Sequence, residues 1–454
     1  MHCLLMKLII SLKQKFFLEG LFYFSKIFKI LMILFDSTIP LNKKKIVNDP
    51  VYGFINFPAY QVFDVVEHPW FQRLRRIKQL GMTDMVYPGA RHTRFHHALG
   101  ATHLMATALE VLQFKGHSIS KEEAEGAILA ILMHDIGHGP FSHALEHQIV
   151  NVRHEQLSRL FMERLNRQMD GALQLAIDIF TNQYSKKFLH QLVSSQLDVD
   201  RLDYLRRDSF FTGVSEGVVS SDRIIKMLDV VDDQLVVEQK GIYSIEKFLI
   251  ARRLMYWQVY LHKTVHAAEQ LVLSILKRAK QLTQQGNDLF GTPAFNYFLQ
   301  NQPSFEDFEN DSPVLEGKST LELFALLDDD DLVSAIKVWA QHPDKVLSKL
   351  CTNFVNRKLF RNIVQDQPFD PQLIHQIKQK VAQLYQITDE EANYFVLSDT
   401  IENSAYKQAS DKILIKEKDG TLTEIVNVSD MLNIKALSTT VSKYFLCYPK
   451  EITF

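Results

Sequence analysis

Apolar residues recur at helical spacing through much of the chain, and this pattern predicts a mainly helical fold. The first clear helix is predicted over residues 94–114, after the turn-forming stretch YPGARHT. Its apolar stripe comprises Leu99, Leu104, Ala108 and Val111 or Leu112. The next helix, over residues 121–136, is almost wholly apolar in AILAILM, which is typical of a buried core helix. It is expected to end at Gly137-His138-Gly139-Pro140.

Further helices are predicted over residues 143–169, 187–207 and 244–284, and Asp49-Pro50 and Gly53 predict turns before them. After residue 285 turn formers and acids dominate, until helical periodicity returns in LDDDDLVSAIKVWAQH and PQLIHQIKQKVAQLY. In KILIKEKDGTLTEIVNVS, two alternating runs flank Asp419-Gly420, which predicts a β-hairpin. The patterns therefore predict a helical core over residues 43–285 and a smaller α+β C-terminal region over residues 286–454.

The first 42 residues form a separate segment that is rich in Phe, Leu and Ile but interrupted by charges. The interrupting residues are Lys7, Lys13, Lys15, Glu19, Lys26 and Lys29. No apolar run approaches the roughly 18 to 20 residues that a membrane-spanning helix needs, and no small-residue cleavage site follows. Two interpretations stay open: an interfacial amphipathic helix, or a translated upstream extension with Met32 as the start. We expect membrane association only in the first case.

Composition sets few limits on function. The 454 residues are 46% hydrophobic and 23% charged, which is ordinary for a globular protein long enough for more than one domain. The net charge of -2 indicates no overall attraction to nucleic acid. Cys3, Cys351 and Cys447 lie far apart, so a disulfide framework and a thiolate zinc site are excluded and a reducing cytoplasm is expected. Any bound metal would be held by imidazole and carboxylate groups.

Such groups are concentrated in residues 131–147, ILMHDIGHGPFSHALEH, where the apolar core helix ends. His134 and Asp135 can both reach one ion at the helix end, where two glycines leave space. A second histidine is available in RFHH, residues 94–97. A second carboxylate is available among acids on a leucine-bearing segment, where burial is costly unless the acids are paired or liganded. These acids are Asp198, Asp200, Asp203 and Asp208.

The order H…HD…D resembles the signature of the HD phosphohydrolase superfamily. The chain is similar to one branch, the deoxynucleoside triphosphate triphosphohydrolases that include the SAM-and-HD-domain enzyme and its bacterial relatives. The resemblance spans about residues 43 to 275 and rests on KKIVNDPVYG, FQRLRRIKQLG, YPGARHTRFHHALG, HDIGHGPFSH, RHEQLS, LDVDRLDYLRRD and ARRLMYWQVYLHK. It implies an HD-domain helical core.

The resemblance implies a divalent metal held by His97, His134, Asp135 and Asp200. The family usually has an acid where His96 stands, so RFHH offers two adjacent histidines; the motif position favours His97 and leaves His96 a structural or outer role. Iron, manganese, zinc, nickel and magnesium all occur in the family, and a set of two histidines and two aspartates does not choose among them.

Acid/base chemistry is implied for a second set of residues: His138, His143, His154, Glu146 and Glu155. An imidazole suits proton transfer because its ordinary pKa of about 6.5 lies near neutrality. His143 is the candidate donor to the leaving 5′ oxygen, whereas His138 and His154 would hold phosphate and position water. No role is assigned to His103 or His147.

Substrate contacts are implied for a third set: Gln79, Leu80, Arg94, Arg201, Tyr204, Asp208, Arg252 and Tyr260. The arginines would bind phosphate oxygens, and Arg201 replaces a lysine common in the family. Tyr204 resembles the residue that rejects a 2′-hydroxyl, and Asp208 the one that binds the 3′-hydroxyl. For Arg206 and Arg207 a solvated helix face is the expectation.

A regulatory site for guanine nucleotides is implied by a fourth set: Lys45, Ile46, Asn48, Glu67, Gln72, Arg75, Arg357 and Arg361. In the family this site bridges subunits, so a GTP or dGTP activator and a homo-oligomer, dimer or tetramer, are expected. Glu67 stands where the family reads guanine with an aspartate. The alternative is that these residues only support a dimer.

The function expected from these features is metal-dependent hydrolysis of dGTP and other dNTPs to a nucleoside and inorganic triphosphate. Two alternatives stay open. The same site could act on nucleoside monophosphates or cyclic phosphodiesters, or the chain could be a nucleotide-sensing or nucleic-acid-binding scaffold. The arginines and the activator-like N-terminal motif favour the first function.

Overall fold

The computed structural model describes residues 46–57, 60–145, 148–403, 406, 412–430 and 441–453. Residues Ile46–Phe454 form one compact unit. The predicted leader over residues 1–42 and the candidate residues Lys45 and Glu146 lie outside the described residues. Within those residues, no helix combines the length and the apolar character that crossing a bilayer requires.

The described chain begins with a hairpin of two four-residue strands, β1 (Ile46–Asp49) and β2 (Gly53–Asn56). Asp49 Oδ1 accepts the backbone N–H groups of Val51 and Tyr52, at 2.9 and 3.0 Å, and so closes the turn. The predicted turns are confirmed. The strands themselves are too short to leave a recognisable alternation in the sequence.

The next four helices are α1 (Tyr60–Glu67), α2 (Pro69–Gln72), α3 (Arg94–Phe114) and α4 (Lys121–Met133). Helix α3 has the predicted bounds, and Leu112 rather than Val111 completes its buried stripe. Helix α4 is the predicted core helix, although it ends three residues early. Ser120 and Glu123 cap its first turn reciprocally, which fixes where it begins.

The following helices are α5 (His154–Gln168), α6 (Gln174–Phe180), α7 (Lys187–Val193), α8 (Val199–Thr212) and α9 (Ser221–Met227). Two predicted helices were therefore wrong. The helix predicted to begin at residue 143 begins at His154, and Ser142–Leu145 forms a short 3-10 turn instead. The single helix predicted over 187–207 is two helices, because the Asp198 side chain accepts the N–H of Arg201 and starts a new one.

A β-hairpin, β3 (Leu228–Val231) and β4 (Gln234–Glu238), precedes α10 (Ile242–Met255) and α11 (Lys263–Gln284). The single helix predicted over 244–284 was also wrong. A π-helical turn at Tyr256–Tyr260 interrupts it, and the His262 side chain then caps α11 by accepting the N–H of Thr264 at 3.2 Å.

The C-terminal region adds seven helices and five strands among the described residues. The helices are α12 (Pro293–Gln300), α13 (Phe305–Glu309), α14 (Thr320–Phe324), α15 (Asp329–Trp339), α16 (Lys345–Val355), α17 (Pro371–Tyr385) and α18 (Ile425–Val428). The strands are β5 (Arg361–Gln365), β6 (Leu397–Asn403), β7 (Leu414–Lys416), β8 (Leu422–Glu424) and β9 (Val441–Tyr448). Helices α15 and α17 are the two periodic segments that the sequence predicted.

The strands of the C-terminal region belong to two small sheets, one of which also includes β3 and β4 of the helical core. One has the order β5-β9-β6 and is antiparallel. The other has the order β3-β4-β7-β8, in which β7 pairs with β8 as the predicted hairpin and runs parallel to β4. The second half of that hairpin is partly wrong, since Ile425–Val428 is helical. The prediction of a mainly helical fold with α+β character near the C-terminus is confirmed, whereas the division at residue 285 stays a prediction.

Aromatic packing joins the C-terminal region to the helical core. The Phe324 ring of α14 lies 6.4 Å from Phe161 of α5 and about as close to Phe298 and Phe308, at 6.0 and 5.9 Å between centroids. A Cβ atom on Gly139 would lie 3.2 Å from the Phe324 ring, so the same phenylalanine also packs on the segment that follows α4.

We expect Phe324→Ala to lower the free energy of unfolding by about 3–5 kcal/mol, because a buried ring is replaced by a cavity. Phe114→Ala is the matched control: that ring is 93% exposed, so its removal should cost under about 0.5 kcal/mol. Urea unfolding of both variants measures the difference. Equal losses would show that the cluster around Phe324 does not hold the two regions together.

Candidate metal centre and catalytic cavity

Four side chains from three helices meet at one point in the core. His97 Nε2, from α3, lies 3.0 Å from Asp200 Oδ1 at the start of α8. It also lies 3.4 Å from His134 Nε2 and 3.6 Å from Asp135 Oδ2, just after α4. His134 Nε2 in turn lies 3.3 Å from Asp135 and 3.5 Å from Asp200. His97, His134 and Asp200 thus place one donor atom each within 4.8 Å of one another, and Asp135, whose two oxygens approach different histidines, lies beside them.

The end of α4 is held by α5. The Ser158 hydroxyl donates to the His134 carbonyl at 2.7 Å and accepts the N–H of Gly137 at 2.9 Å. A Cβ atom on Gly137 would lie 2.3 Å from the His154 carbonyl oxygen, so only glycine allows this approach. The HDIG stretch therefore fixes both its own conformation and the distance to the helix that carries His154.

The two candidate imidazole ligands are oriented by their second ring nitrogens. His97 Nδ1 lies 2.7 Å from Asp203 Oδ2, and His134 Nδ1 lies 2.6 Å from the Ile131 carbonyl oxygen. Since a carboxylate and a carbonyl accept hydrogen bonds, each imidazole donates from Nδ1 and presents Nε2 to the cluster.

Electrostatics favours positive charge at this point. Burial lowers the pKa of His97, but hydrogen bonds to Asp200 and Asp203 outweigh burial and raise that pKa to about 10. Burial raises the pKa of Asp135, but Arg94 and His134 outweigh it and hold that pKa well below its usual range. A field that stabilises protonated imidazole also stabilises a divalent cation. Two imidazole nitrogens and two carboxylates are a donor set that manganese, iron, nickel and zinc accept, so the residues fit a metal.

The acids of α8 are all paired, as the cost of burying them requires. Asp198 binds Arg201, Asp203 binds Arg207, and Asp208 accepts hydrogen bonds from His92 and Tyr260, both at 2.7 Å. The expectation of a solvated Arg207 was wrong: this side chain is fully buried. An Asp203 side chain four residues before Arg207 on a leucine-rich helix is the sequence signal that predicts this pair.

The candidate acid/base histidines form a second cluster beside the first. The His138 and His154 rings stack with centroids 3.9 Å apart, and His143 meets both edge-on, at 4.7 and 5.0 Å. Burial, together with Arg94 and His154, holds the pKa of His138 well below its usual range, so this imidazole is neutral. His138 Nε2 lies 3.4 Å from Asp135 Oδ1, which connects the two clusters.

A cavity of about 580 Å³ opens onto both clusters. It is lined by all eight predicted substrate residues: Gln79, Leu80, Arg94, Arg201, Tyr204, Asp208, Arg252 and Tyr260. His134, Asp135 and Asp200 of the first cluster and His143, His154 and Glu155 of the predicted acid/base set also line it. His97 lies fully buried behind the cavity wall.

The cavity arginines are arranged to receive an anion. Arg94 donates to Ser142 Oγ at 2.8 Å and to Asp135 at 2.5 Å. Arg201 binds Asp198, and Arg252 donates to Gln196 at 3.2 Å. The Nε groups of Arg201 and Arg252 are buried, and neither has a hydrogen-bond partner in the part of the chain that the structure describes. Arg73 Nε and Arg253 Nη1 also lack partners among the described residues, but only the donors of Arg201 and Arg252 belong to the cavity lining, where an acceptor such as a phosphate oxygen would satisfy them.

Three cavity features were missed from the sequence. His92 holds Asp208, Tyr256 lines the wall, and Glu269 of α11 also lines the cavity. Burial raises the pKa of Glu269 to about 8. Glu269 lies outside the quoted motifs, and Tyr256 stands within ARRLMYWQVYLHK but was assigned no role there; the interrupted helix α10–α11 brings both to the cavity only in the folded chain.

The proposed activator residues lie on three elements. Ile46 and Asn48 are exposed on β1. Arg361 begins β5, and Arg357 lies four residues before it. The Arg357 guanidinium donates two hydrogen bonds to the Met85 carbonyl, at 2.7 and 2.9 Å. The third group is Glu67, Gln72 and Arg75 near α2, where Arg75 donates to Gln72 at 2.7 Å. Binding of a guanine nucleotide by these residues stays a prediction.

Comparison with known proteins identifies relatives over most of the chain. Residues 94–208 match the HD domain, and residues 219–289 match the HD associated region. The chain is 34% identical over 331 residues to the uncharacterized protein YwfO of Bacillus subtilis, an alignment that spans 71% of this chain and 72% of that protein.

Two further relatives are described as hydrolases. The chain is 29% identical over 265 residues to the deoxynucleoside triphosphate triphosphohydrolase SAMHD1 homologue of Dictyostelium discoideum, covering 54% of this chain and 51% of that relative. Among solved structures it resembles a phosphohydrolase from Bacteroides thetaiotaomicron, with a TM-score of 0.85, 55% identity, and coverage of 89% of this chain and 100% of the other.

Variants at the adjacent histidines of RFHH distinguish their roles. His97→Ala should abolish stoichiometric binding of Mn²⁺, because Nε2 of this residue lies within 3.6 Å of the other three proposed ligands. His96→Ala should retain Mn²⁺ and lose only about 1 kcal/mol of stability, because His96 Nδ1 accepts the N–H of Thr93 and caps α3. Metal analysis and thermal unfolding measure both effects. The reverse pattern would make His96 the ligand.

Proposed function

Because this chain belongs to the HD-domain phosphohydrolase family, we propose that it hydrolyses deoxynucleoside triphosphates to a deoxynucleoside and inorganic triphosphate. One observation carries the proposal: a single cavity joins the His/Asp cluster, three arginines and a separate polar wall formed by Tyr204, Asp208 and Tyr260. A phosphate chain and a sugar would therefore find complementary groups within one cavity. The Dictyostelium relative, whose name describes this activity, gives further support.

The metal would be held by His97, His134, Asp135 and Asp200. A divalent cation bound there would act as a Lewis acid toward a phosphoryl oxygen. The second ring nitrogens of the two histidines are already engaged with Asp203 and Ile131, so both ligands are oriented in advance.

The triphosphate would be bound by the guanidinium groups of Arg94, Arg201 and Arg252. The partnerless Nε donors of Arg201 and Arg252 give each group a free hydrogen bond for a phosphate oxygen. Arg94 is held by Ser142 and Asp135, which fixes its position between the metal ligands and the cavity.

In the proposed reaction, water attacks the α-phosphorus while the bond from that phosphorus to the 5′ oxygen breaks. His143, which lines the cavity, would give its proton to the departing 5′ oxygen. His154 and Glu155, whose Nδ1 and Oε2 atoms lie 3.7 Å apart, would take the proton that the attacking water loses. The neutral imidazole of His138 stacks on His154 and keeps that ring in place.

The sugar would lie against Tyr204 and Tyr260, whose ring centroids are 6.2 Å apart. Asp208 accepts hydrogen bonds from His92 and Tyr260 and would accept another from the 3′-hydroxyl. Close packing by Tyr204 would leave no room for a 2′-hydroxyl, so ribonucleotides are expected to be poor substrates.

The test is a product analysis with each dNTP, using protein whose metal content has been quantified. We expect intact inorganic triphosphate and one deoxynucleoside per turnover, with activity lost on chelation and restored by a divalent metal. Stepwise release of phosphate, or activity confined to monophosphates or cyclic phosphodiesters, would contradict the proposal. No turnover by the metal-loaded protein would instead support a nucleotide-sensing scaffold.

We further propose that guanine nucleotides activate the enzyme through the Arg75 region and promote its assembly into a homo-oligomer. GTP or dGTP should raise the turnover of other dNTPs, and Arg75→Ala should remove this increase, because the Arg75 guanidinium is exposed and held by Gln72. Arg167→Ala, on a surface arginine paired with Asp311, is the matched control and should keep the increase. Equal response of wild type and Arg75→Ala would remove this site from consideration.

A further inference from the structure

A line of buried ion pairs connects the first hairpin to a candidate metal ligand. His97 Nδ1 lies 2.7 Å from Asp203 Oδ2. Arg207 grips the same carboxylate with two hydrogen bonds, of 2.9 and 3.0 Å, and its third guanidinium nitrogen donates to Asp49 Oδ2 at 2.8 Å. We call Asp49, Arg207 and Asp203 the relay. All three side chains are 3% exposed or less, so solvent does not replace any of these contacts.

The hairpin end of the relay is part of a turn. Asp49 is the last residue of β1, and one oxygen of its carboxylate accepts two backbone N–H groups of the turn while the other binds Arg207. The Tyr52 ring lies 5.6 Å from the Arg207 guanidinium and covers it. The conformation of the turn and the position of Arg207 are therefore coupled by one carboxylate and one ring.

The described hairpin has few fully buried apolar side chains: Val47 and Tyr52 pack partly buried on the core, with the Tyr52 ring 5.2 Å from that of His103. Ile46 is 55% exposed and Phe54 is 71% exposed, while Ile55 is the fully buried apolar residue of the two strands. Buried charge pairs weigh heavily in such an element, because few apolar contacts compete with them.

The metal end of the relay has no space to rearrange. A Cβ atom on Gly100 would lie 2.1 Å from both Asp203 Oδ1 and Arg207 Nη2, so the pair packs directly against the backbone of α3. Gly100 lies one turn after His97 on the same helix. A shift of Arg207 would therefore move Asp203, and with it the hydrogen bond that orients the His97 ring.

We infer that Asp49 and Arg207 are positioning residues for His97, and that the relay couples the order of the first hairpin to cation affinity. When the Asp49 turn binds Arg207 as described above, which we call the seated hairpin, Asp203 holds the His97 ring with Nε2 toward Asp200. Linkage makes the effect reciprocal: a bound cation stabilises the seated hairpin to the same degree. A ligand or subunit that orders this hairpin would thereby strengthen cation binding. This coupling goes beyond the proposed hydrolysis and does not depend on the substrate.

The first experiment compares two single substitutions with the wild-type protein, and each of the three proteins is prepared free of metal. Asp49→Asn keeps an acceptor for the turn but removes the charge that holds Arg207. Asp344→Asn is the control, because Asp344 likewise accepts a backbone N–H, from Leu347, while pairing with a buried arginine, Arg278. Free Mn²⁺, counted by electron paramagnetic resonance, gives the affinity of each protein.

We expect Asp49→Asn to weaken Mn²⁺ binding about tenfold, the lower end of the effect of outer partners on metal affinity, and Asp344→Asn to leave it unchanged. Both variants should lose thermal stability. Since only Asp49→Asn should also lose Mn²⁺ affinity, general destabilisation would not explain the change in affinity. Wild-type Mn²⁺ affinity in folded Asp49→Asn, or equal weakening in both variants, would overturn the inference.

The second experiment needs no variant and so does not depend on Asp49→Asn folding. Hydrogen–deuterium exchange of wild-type protein is measured with and without Mn²⁺. Amides of residues 46–56 should exchange more slowly with Mn²⁺, whereas those of α16, which Asp344 caps, should not change. Unchanged exchange in the hairpin at saturating Mn²⁺ would overturn the coupling. This result would leave the hydrolysis proposal standing, since dNTP turnover is measured separately.

Discussion

The ion pair between Asp203 and Arg207 is the interaction on which the catalytic region depends. Two charged groups can remain fully buried only if each is satisfied, and here each satisfies the other while Asp203 also orients His97. The pair lies between α3 and α8 in space that Gly100 leaves open. This pair, together with the buried apolar residues of both helices, fixes their crossing and hence the approach of Asp200 to His97.

The same principle of paired burial extends over the cavity. Asp208 is held by His92 and Tyr260, and Asp135 by Arg94, so each of these two buried acids has a hydrogen-bonding partner beside the cavity. Arg201 and Arg252 each leave a buried Nε without a hydrogen-bond partner among the described residues, and both line the cavity. Arg73 Nε and Arg253 Nη1 share this property but lie outside the cavity lining, so the two cavity donors support an anion site by their location.

Several predictions from the sequence are confirmed. The HD-family resemblance, the mainly helical fold, the bounds of α3 and the core position of α4 all followed from motif spacing and apolar periodicity. The errors occurred at breaks within periodic segments. Residues 256–262 continue the apolar pattern of their neighbours, whereas residues 194–198 (SSQLD) are a short polar interruption, and side-chain caps from Asp198 and His262 start new helices at both places. Periodicity does not reveal such breaks, because the capping geometry depends on where the preceding helix packs.

The sequence by itself determined which residue types would meet: the HD pair, the histidines of RFHH and the acids of α8 are encoded in local motifs with fixed spacing. The residue pattern left open which of the acids serves which purpose; the family resemblance pointed to Asp200 as a ligand, and only the tertiary structure gives the physical reason. Asp200 and Asp203 are three residues apart on one helix, but the helix crossing turns the first to Nε2 of His97 and the second to Nδ1. Arg207 is buried and binds both Asp203 and Asp49 of the first hairpin, which fixes Asp203 beside His97. The role of a buried charge depends on its partners, because an unpaired buried charge is costly, and those partners come from distant parts of the chain.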